Sequence, residues 1–431
     1  MIKKVLGTIS TRIICVIISF ALMIINSRSF GPQGVGSIGL FVLGISILQI
    51  LTSLLGSSSL VYMLPKYNPF QIVFIAHLSS LCINIIGGII MLACGLVPME
   101  YASWFIIATI CVSVFSTNSS ILLSKEKIAW FNASALLQMI LLIVFTLFLI
   151  VYSQQLKELS YIIAYTVSYF IVALLTIFPS LKGMVYSGWN GIRKLIVNLA
   201  KYGIIIQITN LAQMLNYRLN YYIIEFCAGR APLGIFDNST KVAESIWILP
   251  KSLSSLEYAI VANRNEEQDY IKRITLSFVK LSLICSFISI IIILCLPPSV
   301  FTFILGPGFE EIKPVLCFLA PGVFLFSSNI IISHYFSGLG KFSVNCIASF
   351  IGLGITAILG LSLIPWFKTM PYMHTLMLMS VITSIAYACS FGYTLIQFCL
   401  HAQVKLAHFI VNKQDIQLLK QAIKYRLRHD Q

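Results

Sequence analysis

The stretch Ala228–Glu244, "AGRAPLGIFDNSTKVAE", carries two features that stand out in an otherwise apolar chain. It begins with Gly229 and Gly234, five positions apart, with a proline between them. It then places Asp237, Lys241 and Glu244 within eight positions. Because an α-helix turns by about 100° per residue, their spacings of four and three put all three ionisable groups on one face of a helix.

The whole chain has the composition of an integral membrane protein. Of its 431 residues, 58% are hydrophobic and 10% are charged, and the mean hydropathy is +0.93. Soluble domains carry about 25% charged residues. The net charge of +15 comes from basic residues between apolar segments, a pattern that sets membrane topology, so we predict no nucleic-acid partner.

Twelve apolar segments reach the length of about 20 residues that a spanning helix needs. They lie near residues 7–29, 37–62, 70–95, 101–123, 129–152, 159–179, 202–227, 233–259, 274–296, 314–337, 343–364 and 373–398. With the N-terminus inside, the cytoplasmic ends and loops hold 22 lysines and arginines and the opposite loops hold 5. This bias predicts about 12 transmembrane helices with both termini cytoplasmic.

The chain also divides into two similar halves. The longest connection, residues 180–201, separates two sets of six spans. "FGPQGVGSI" (Phe30–Ile38) follows span one and "AGRAPLGIF" (Ala228–Phe236) follows span seven, each with glycines five apart and a proline between them. We therefore predict parallel six-span repeats, with an N-terminal lobe at 1–185, a C-terminal lobe at 186–400 and a basic amphipathic cytoplasmic tail at 401–431. The tail is expected either to lie along an anionic membrane surface or to contact the cytoplasmic loops.

Cysteine and histidine patterns indicate no cofactor. The eleven cysteines form no C-x-x-C pair, and the six histidines lack the spacing of metal ligands. We predict neither a metal nor a redox cofactor.

The charges of spans seven and eight need partners or water, because a charge at the centre of a spanning helix costs roughly 2.5–3.5 kcal/mol. Arg218 lies roughly 24 Å along span seven, and Asp237 lies roughly 6 Å into span eight from the opposite side, at 1.5 Å per residue. In a core about 30 Å thick they reach nearly the same depth, so Arg218 is expected to meet Asp237. Two interpretations remain: a water-filled cavity lined by charges, or an ion-pair network that fastens two helices.

Candidate site residues follow from side-chain chemistry. Arginine binds phosphate through two parallel hydrogen bonds, so Arg28 and Arg218 are candidate anion ligands, with Lys241 as a further cation. Burial favours the neutral form of a carboxyl group, so Glu244 is a candidate proton carrier. The remaining candidates are Tyr217 and Tyr221, which either stack on sugar rings or pack in the protein, and Asp237 and Glu225 as ion-coupling or cavity-lining carboxylates.

Several segments resemble one transporter family. They are "NSRSFGPQGVGSIGLF" after span one, "KYGIIIQITNLAQMLNYRLNYYIIEFCAGRAPLGIFDNSTKVAE" through spans seven and eight, "ILGPGFEEIKPVLCFLAPG" entering span ten, and "YFSGLGK" closing it. In order and spacing they resemble the O-antigen and polysaccharide flippases (Wzx type) of the multidrug/oligosaccharidyl-lipid/polysaccharide (MOP) exporter superfamily. Many relatives carry an aspartate two residues after the arginine of span seven, where this chain has Asn220.

The resemblance implies an all-α fold of two six-helix lobes around a central cavity. It also implies alternating access that moves an undecaprenyl-pyrophosphate-linked oligosaccharide across the bacterial inner membrane, coupled to a proton or sodium gradient. Membrane lipids and a polysaccharide polymerase are candidate partners. The alternatives are a cation-coupled drug antiporter of the same superfamily and a membrane oligosaccharide polymerase. An enzyme is disfavoured, because no outer loop is predicted to be long enough for a catalytic domain and adjacent Glu310 and Glu311 point in different directions.

Overall fold

The computed structural model describes residues 2–54, 60, 64, 68–184, 192–263 and 266–409, which form helices and no strand. The helices are α1 (Ile2–Thr52), α2 (Pro69–Ala93), α3 (Ala102–Ser124), α4 (Ile128–Tyr152), α5 (Leu159–Leu181), α6 (Ile192–Ala228), α7 (Arg230–Glu244), α8 (Ile248–Asn263), α9 (Gln268–Cys295), α10 (Pro298–Leu305), α11 (Ile312–Gly338), α12 (Phe342–Ser362), α13 (Ile364–Phe367) and α14 (Tyr372–Ala402). The predicted all-helical class is confirmed.

Nine of the described helices are long and apolar enough to cross a membrane, namely α1–α5, α9, α11, α12 and α14. Helix α1 spans 51 residues and bends at Gly31, where φ is 63°, so it covers the first predicted span and residues 37–52 of the second. Helices α6 and α7–α8 occupy the positions of predicted spans seven and eight. The chain is a multi-pass membrane protein with nine such helices among the described residues, and the count of twelve spans stays a prediction.

Predicted span eight is not one continuous helix. Helix α7 ends at Glu244, a 3₁₀ turn covers Ser245–Trp247, and α8 begins at Ile248. Pro250 lies in the first turn of α8, where its missing amide hydrogen has no intrahelical partner to lose, so it is compatible with a helix start just before it. The span predicted over 233–259 is thus two α-helices joined by a 3₁₀ turn rather than one continuous α-helix.

Helix α10 is a short helix bounded by a proline and a glycine. Pro298 occupies its first position, where the missing amide hydrogen has no consequence. Gly306, with φ of 94°, ends it in the left-handed conformation that favours glycine. Proline at the start and glycine at the end thus bound an eight-residue helix.

The described residues form two compact units, each with its own core. The first comprises Met1–Asn238, Pro298–Ile312 and Ile364–Leu376, and the second comprises Ser239–Pro297, Lys313–Leu363 and Met377–Gln431. The predicted lobes at 1–185 and 186–400 stay a prediction. Most of the predicted tail at 401–431 lies outside the described residues, as do residues 185–191 of the long connection.

Aromatic side chains organise both cores. In the first unit, Phe41 of α1 is fully buried, and its ring meets those of Tyr101, Phe105 and Tyr165 edge-on at centroid distances of 6.5, 5.9 and 6.1 Å. Such pairs each contribute about 0.5–1.5 kcal/mol beyond the area they bury. The second unit has a comparable cluster, in which Tyr335 packs edge-on against Phe398 at 5.0 Å.

Within the first unit, the backbones of α1 and α7 touch at two glycines. A Cβ atom on Gly36 would overlap the carbonyl oxygen of Arg230, and a Cβ atom on Gly234 would overlap the carbonyl oxygen of Pro32. Any residue other than glycine at either position would push the helices apart.

These two contacts are reciprocal in the sequence repeat. Gly36 lies five residues after the turn glycine Gly31, and Gly234 lies five residues after the turn glycine Gly229, where φ is 91°. Gly36 contacts Arg230, the residue after Gly229, and Gly234 contacts Pro32, the residue after Gly31. The segments "FGPQGVGSI" and "AGRAPLGIF" therefore pack on each other as the two sides of a two-fold contact do.

This contact predicts a large effect of single methyl groups. Gly36→Ala and Gly234→Ala are each expected to lower the midpoint of thermal unfolding in detergent, because overpacking a close contact costs about 1–3 kcal/mol. Gly354→Ala is the matched control, since a Cβ atom there has nothing within 4 Å and alanine favours a helix over glycine by up to about 1 kcal/mol. An equal shift of the unfolding midpoint in all three variants would contradict this close contact.

Candidate functional site

The site is centred on the hairpin of α6 and α7, which turns at Gly229. Tyr221 lies eight residues before this glycine and Asp237 lies eight residues after it. Residues equidistant from the turn of an antiparallel hairpin reach the same depth, and here they meet: the Tyr221 hydroxyl donates to Asp237 Oδ1 at 2.8 Å. Both side chains are buried, with 1% and 2% exposure.

A buried carboxylate needs such a donor, because removing an ionised carboxylate from water is costly unless it is paired and hydrogen-bonded. Hydrogen bonds to an ionised group are about twice as strong as neutral ones. Helix α1 closes the other side of the carboxylate, since the position of a Cβ atom on Gly39 lies 3.5 Å from Asp237 Oδ2. The glycine at position 39 leaves room for the carboxylate beside the helix backbone.

The neighbouring residue ties α7 to α1. Asn238 is fully buried, and its Nδ2 donates to Ser27 Oγ at 2.7 Å. The Ser27 hydroxyl in turn donates to the Met23 carbonyl at 2.6 Å. Asp237 is therefore held on two sides: its carboxylate accepts from the Tyr221 hydroxyl on α6, and the next residue, Asn238, is hydrogen-bonded to α1.

Arg218 joins this arrangement through the tyrosine. Its guanidinium carbon lies 5.2 Å from the centre of the Tyr221 ring, a cation–π distance. Its Nη1 donates to the Tyr217 carbonyl at 3.3 Å. Tyr221 thus contacts Arg218 through its ring and Asp237 through its hydroxyl, and a direct contact between Arg218 and Asp237 stays a prediction.

Further polar pairs lie on α6. Gln213 Nε2 donates to the Tyr217 hydroxyl at 2.8 Å, and both side chains are half-buried. One turn before Gln213, Asn210 Nδ2 donates to Gln207 Oε1 at 3.1 Å. The polar face predicted for span seven is therefore a series of amide and hydroxyl groups that leads to Arg218.

Lys241 and Glu244 belong to the second unit. Both lie on the last part of α7, where Lys241 is exposed and Glu244 is half-buried. Their roles as a cargo-binding cation and a proton carrier stay predictions.

Arg28 lies at the bend of α1 and contacts the end of α10. Its Nε donates to the Ile304 carbonyl at 3.0 Å and its Nη2 donates to the Phe303 carbonyl. A cation at a helix C-terminus is favoured by about 0.3–1 kcal/mol. An open cleft of about 640 Å³ lies here, lined by Arg28, Ser299, Thr302, Phe303, Gly306 and Pro307. In this conformation Arg28 fastens α10 to α1, and its role as an anion ligand stays a prediction.

Glu225 lies at the end of α6 beside an ion pair that the sequence analysis missed. Arg230 Nη1 pairs with Glu100, and Arg230 Nε lies 3.9 Å from Glu225 Oε1. Nearby in the first unit, the Tyr101 hydroxyl donates to Glu158 at 2.9 Å. Glu225 thus takes part in a charged cluster at the hairpin turn, and its ion-coupling role stays a prediction.

No metal site is apparent among residues 2–54, 68–184, 192–263 and 266–409. Within these segments, no group of three or more histidine, cysteine, aspartate or glutamate side chains could hold an ion. What the α6–α7 hairpin offers instead is an oriented guanidinium, an aromatic ring and a buried carboxylate.

The hydrogen bond to Asp237 can be tested with a neighbouring tyrosine as control. Tyr221→Phe is expected to lower the free energy of unfolding by about 1.5–3 kcal/mol, because it removes a hydrogen bond to a charged group. Tyr222→Phe removes a hydroxyl that is buried without a hydrogen-bond partner in the described part of the chain, so it should be neutral or stabilising. Thermal unfolding in detergent measures both, and equal losses would contradict the assignment.

No known protein family matches the sequence, and no curated protein matches it either. Solved structures do. The chain is similar to the lipid II flippase MurJ in an inward closed conformation, with a TM-score of 0.69, 14% identity, and coverage of 95% of this chain and 89% of that one.

Two transporters of the MOP superfamily are also similar. One is a multidrug resistance MATE family transporter in an inward-facing conformation, with a TM-score of 0.66, 14% identity, and coverage of 90% of this chain and 95% of that one. The other is a MOP superfamily transporter from Pyrococcus furiosus, with a TM-score of 0.61, 15% identity, and coverage of 94% and 97%. At these identities the likeness concerns the fold, and the chain has the fold of MOP-superfamily transporters.

Proposed function

We propose that this chain is a flippase that moves an undecaprenyl-pyrophosphate-linked oligosaccharide from the cytoplasmic to the outer leaflet of the bacterial inner membrane. The observation that carries the proposal is the Arg218–Tyr221–Asp237 arrangement inside a fold that a lipid II flippase also has. Such a cargo combines an anionic pyrophosphate with a polar glycan and a lipid, and the three parts make different demands on a transporter.

The pyrophosphate demands a cation within the membrane. Arginine suits this task better than lysine, because its planar guanidinium binds phosphate through two parallel hydrogen bonds and is more weakly hydrated. The cation–π contact with the Tyr221 ring, at 5.2 Å, helps to position the Arg218 guanidinium. Arg28 and Lys241 are proposed as further cations that contact the cargo on its path.

The glycan demands hydrogen-bonding groups and flat surfaces. The half-buried amide and hydroxyl groups of Gln213 and Tyr217 on α6 can both donate and accept hydrogen bonds. Tyr221 is buried here by Arg218 and by the edge of Phe236, at a ring distance of 6.0 Å. We therefore assign Tyr221 to positioning Arg218 and Asp237 in this conformation, and Tyr217 to contacts with the cargo.

An antiporter for small molecules is the second candidate, because the fold resembles a multidrug transporter almost as well as it resembles a lipid flippase. A site for cationic drugs would place carboxylates at its centre without an arginine among them. Arg218 next to Asp237 favours an anionic cargo instead. Fold similarity to both kinds of transporter also supports a transporter over a polymerase.

Alternating access needs an energy source, which we propose to be an ion gradient of protons or sodium. Asp237, Glu244 and Glu225 are the carboxylates proposed for coupling or for lining the path. Membrane lipids surround such a protein, and a polysaccharide polymerase that uses the translocated cargo is a proposed partner.

Substitution of Arg218 tests the proposal. Arg218→Lys keeps the charge and loses the paired hydrogen bonds, so most transport should be lost, and Arg218→Ala should lose nearly all. Truncating one member of a charge pair at a buried contact costs about 2–5 kcal/mol, roughly 30-fold or more in affinity. The measurement is complementation of surface glycan in a strain without its own flippase, with protein levels checked and the exposed Arg273→Ala as control.

A double substitution separates binding from fastening. If Arg218 only fastens the helices, combining Arg218→Ala with Asp237→Ala should restore activity, because the uncompensated charge is removed. A cargo-binding arginine is not rescued in this way. Full activity of Arg218→Ala, or rescue by the double change, would contradict the proposed role.

A further inference from the structure

We propose that Glu257 is a proton-binding site of the second unit and carries the proton that drives transport. The proton-binding part of this inference stands on geometry alone. The coupling part rests on the proposed function, because it requires a transport cycle to be driven.

Glu257 lies on the buried face of α8. Its side chain is fully buried, at 0% exposure, and neither carboxyl oxygen has a hydrogen-bond partner in the described part of the chain. Thr275 of α9 lies beside it, and within the same described residues its hydroxyl is likewise buried without a partner. Three oxygen atoms from two helices thus form a small polar site inside an apolar core.

Among the described residues, Glu257 forms no ion pair. From α11 the titratable group that faces Glu257 is Tyr335, whose hydroxyl is hydrogen-bonded to His401 Nδ1 of α14 at 2.9 Å. Helix α9 carries Lys272, which donates to the Gln403 carbonyl at 3.3 Å, and the buried Lys280 five residues beyond Thr275. None of these described groups is hydrogen-bonded to the Glu257 carboxyl.

A carboxyl group in such a place carries a proton. Burying an ionised carboxylate without a partner costs so much free energy that the group becomes neutral instead. A protonated carboxyl is both a donor and an acceptor, so it also matches the Thr275 hydroxyl better than a carboxylate does. The geometry therefore identifies the ligand of this site as a proton.

Release of the proton requires water, and water requires the helices to separate. The buried face of α8 consists of Pro250, Ser254, Glu257 and Val261. Val261 packs against Gly338 of α11 so closely that a Cβ atom on that glycine would lie 2.8 Å from it. A movement of α8 away from α9 and α11 would hydrate Glu257, let it ionise, and so link its protonation to the opening of this unit.

Infrared difference spectroscopy of the purified full chain tests proton binding without any transport assay. Glu257→Gln is isosteric with the protonated form, so it should fold and melt like the wild type. We expect the wild type at neutral pH to show the stretching band of a protonated carboxyl, which Glu257→Gln lacks and Glu266→Gln retains. Glu266 is the matched control because it is an exposed acid near the start of α9. Absence of the band in the wild type, or its persistence in Glu257→Gln, would overturn the site.

Transport in proteoliposomes tests the coupling. The probe is an undecaprenyl-pyrophosphate-linked oligosaccharide, with its transbilayer movement followed with and without an imposed pH gradient. Glu257→Gln should still equilibrate the cargo but no longer respond to the gradient, whereas Glu257→Asp should recover part of the response. An unchanged response of Glu257→Gln would overturn the coupling role. Failure of the wild type to move the cargo would overturn the coupling role and the proposed function together, while the infrared result would still decide the proton site.

Discussion

The close approach of α1 and α7 at Gly36 and Gly234 is the constraint on which the site depends. It lets the backbones of two repeated segments touch, and this brings Gly39 next to the carboxylate of Asp237 and Ser27 next to the amide of Asn238. The buried carboxylate is then bounded by α1 on one side and bonded by Tyr221 on the other. A larger residue at either contact glycine would move α7, and with it the depth and partners of Asp237.

Much of this arrangement could be predicted, because it follows from periodicity and chain length. The 20-residue apolar segments predicted the helices, and the rise per residue predicted that Arg218 and Asp237 reach one depth. The role of Tyr221 as the link between them was missed, although its equal distance from Gly229 was a usable signal. Pro250 was a usable signal for the break of span eight, because proline favours the first turn of a helix, although Pro179 and Pro321 lie inside continuous helices. The buried position of Glu257 could not be predicted, because it depends on the packing of α8, α9 and α11, which no local sequence pattern encodes.

The α6–α7 hairpin and Glu257 are proposed to serve two different steps of transport, cargo binding and proton binding. In the proposed cycle, the Arg218 guanidinium at the α6–α7 hairpin binds the phosphate of the cargo, while Tyr221 contacts that guanidinium and donates a hydrogen bond to Asp237. Glu257 would instead avoid a buried charge by binding a proton. An anionic cargo and a coupling proton would then act on separate groups, so each could bind without neutralising the other's partner. The proposed polymerase and lipid partners would act on the cargo before or after this cycle.

The most direct test of the central claim is the transbilayer movement of an undecaprenyl-pyrophosphate-linked oligosaccharide by the purified chain in proteoliposomes. A membrane-impermeant reagent that modifies only outward-facing glycan reports the fraction of cargo that has crossed. We expect the wild-type chain to make the inner pool accessible, and an anionic pyrophosphate lipid to compete while a cationic drug does not. Movement no faster than in protein-free vesicles, or competition by cationic drugs alone, would contradict it.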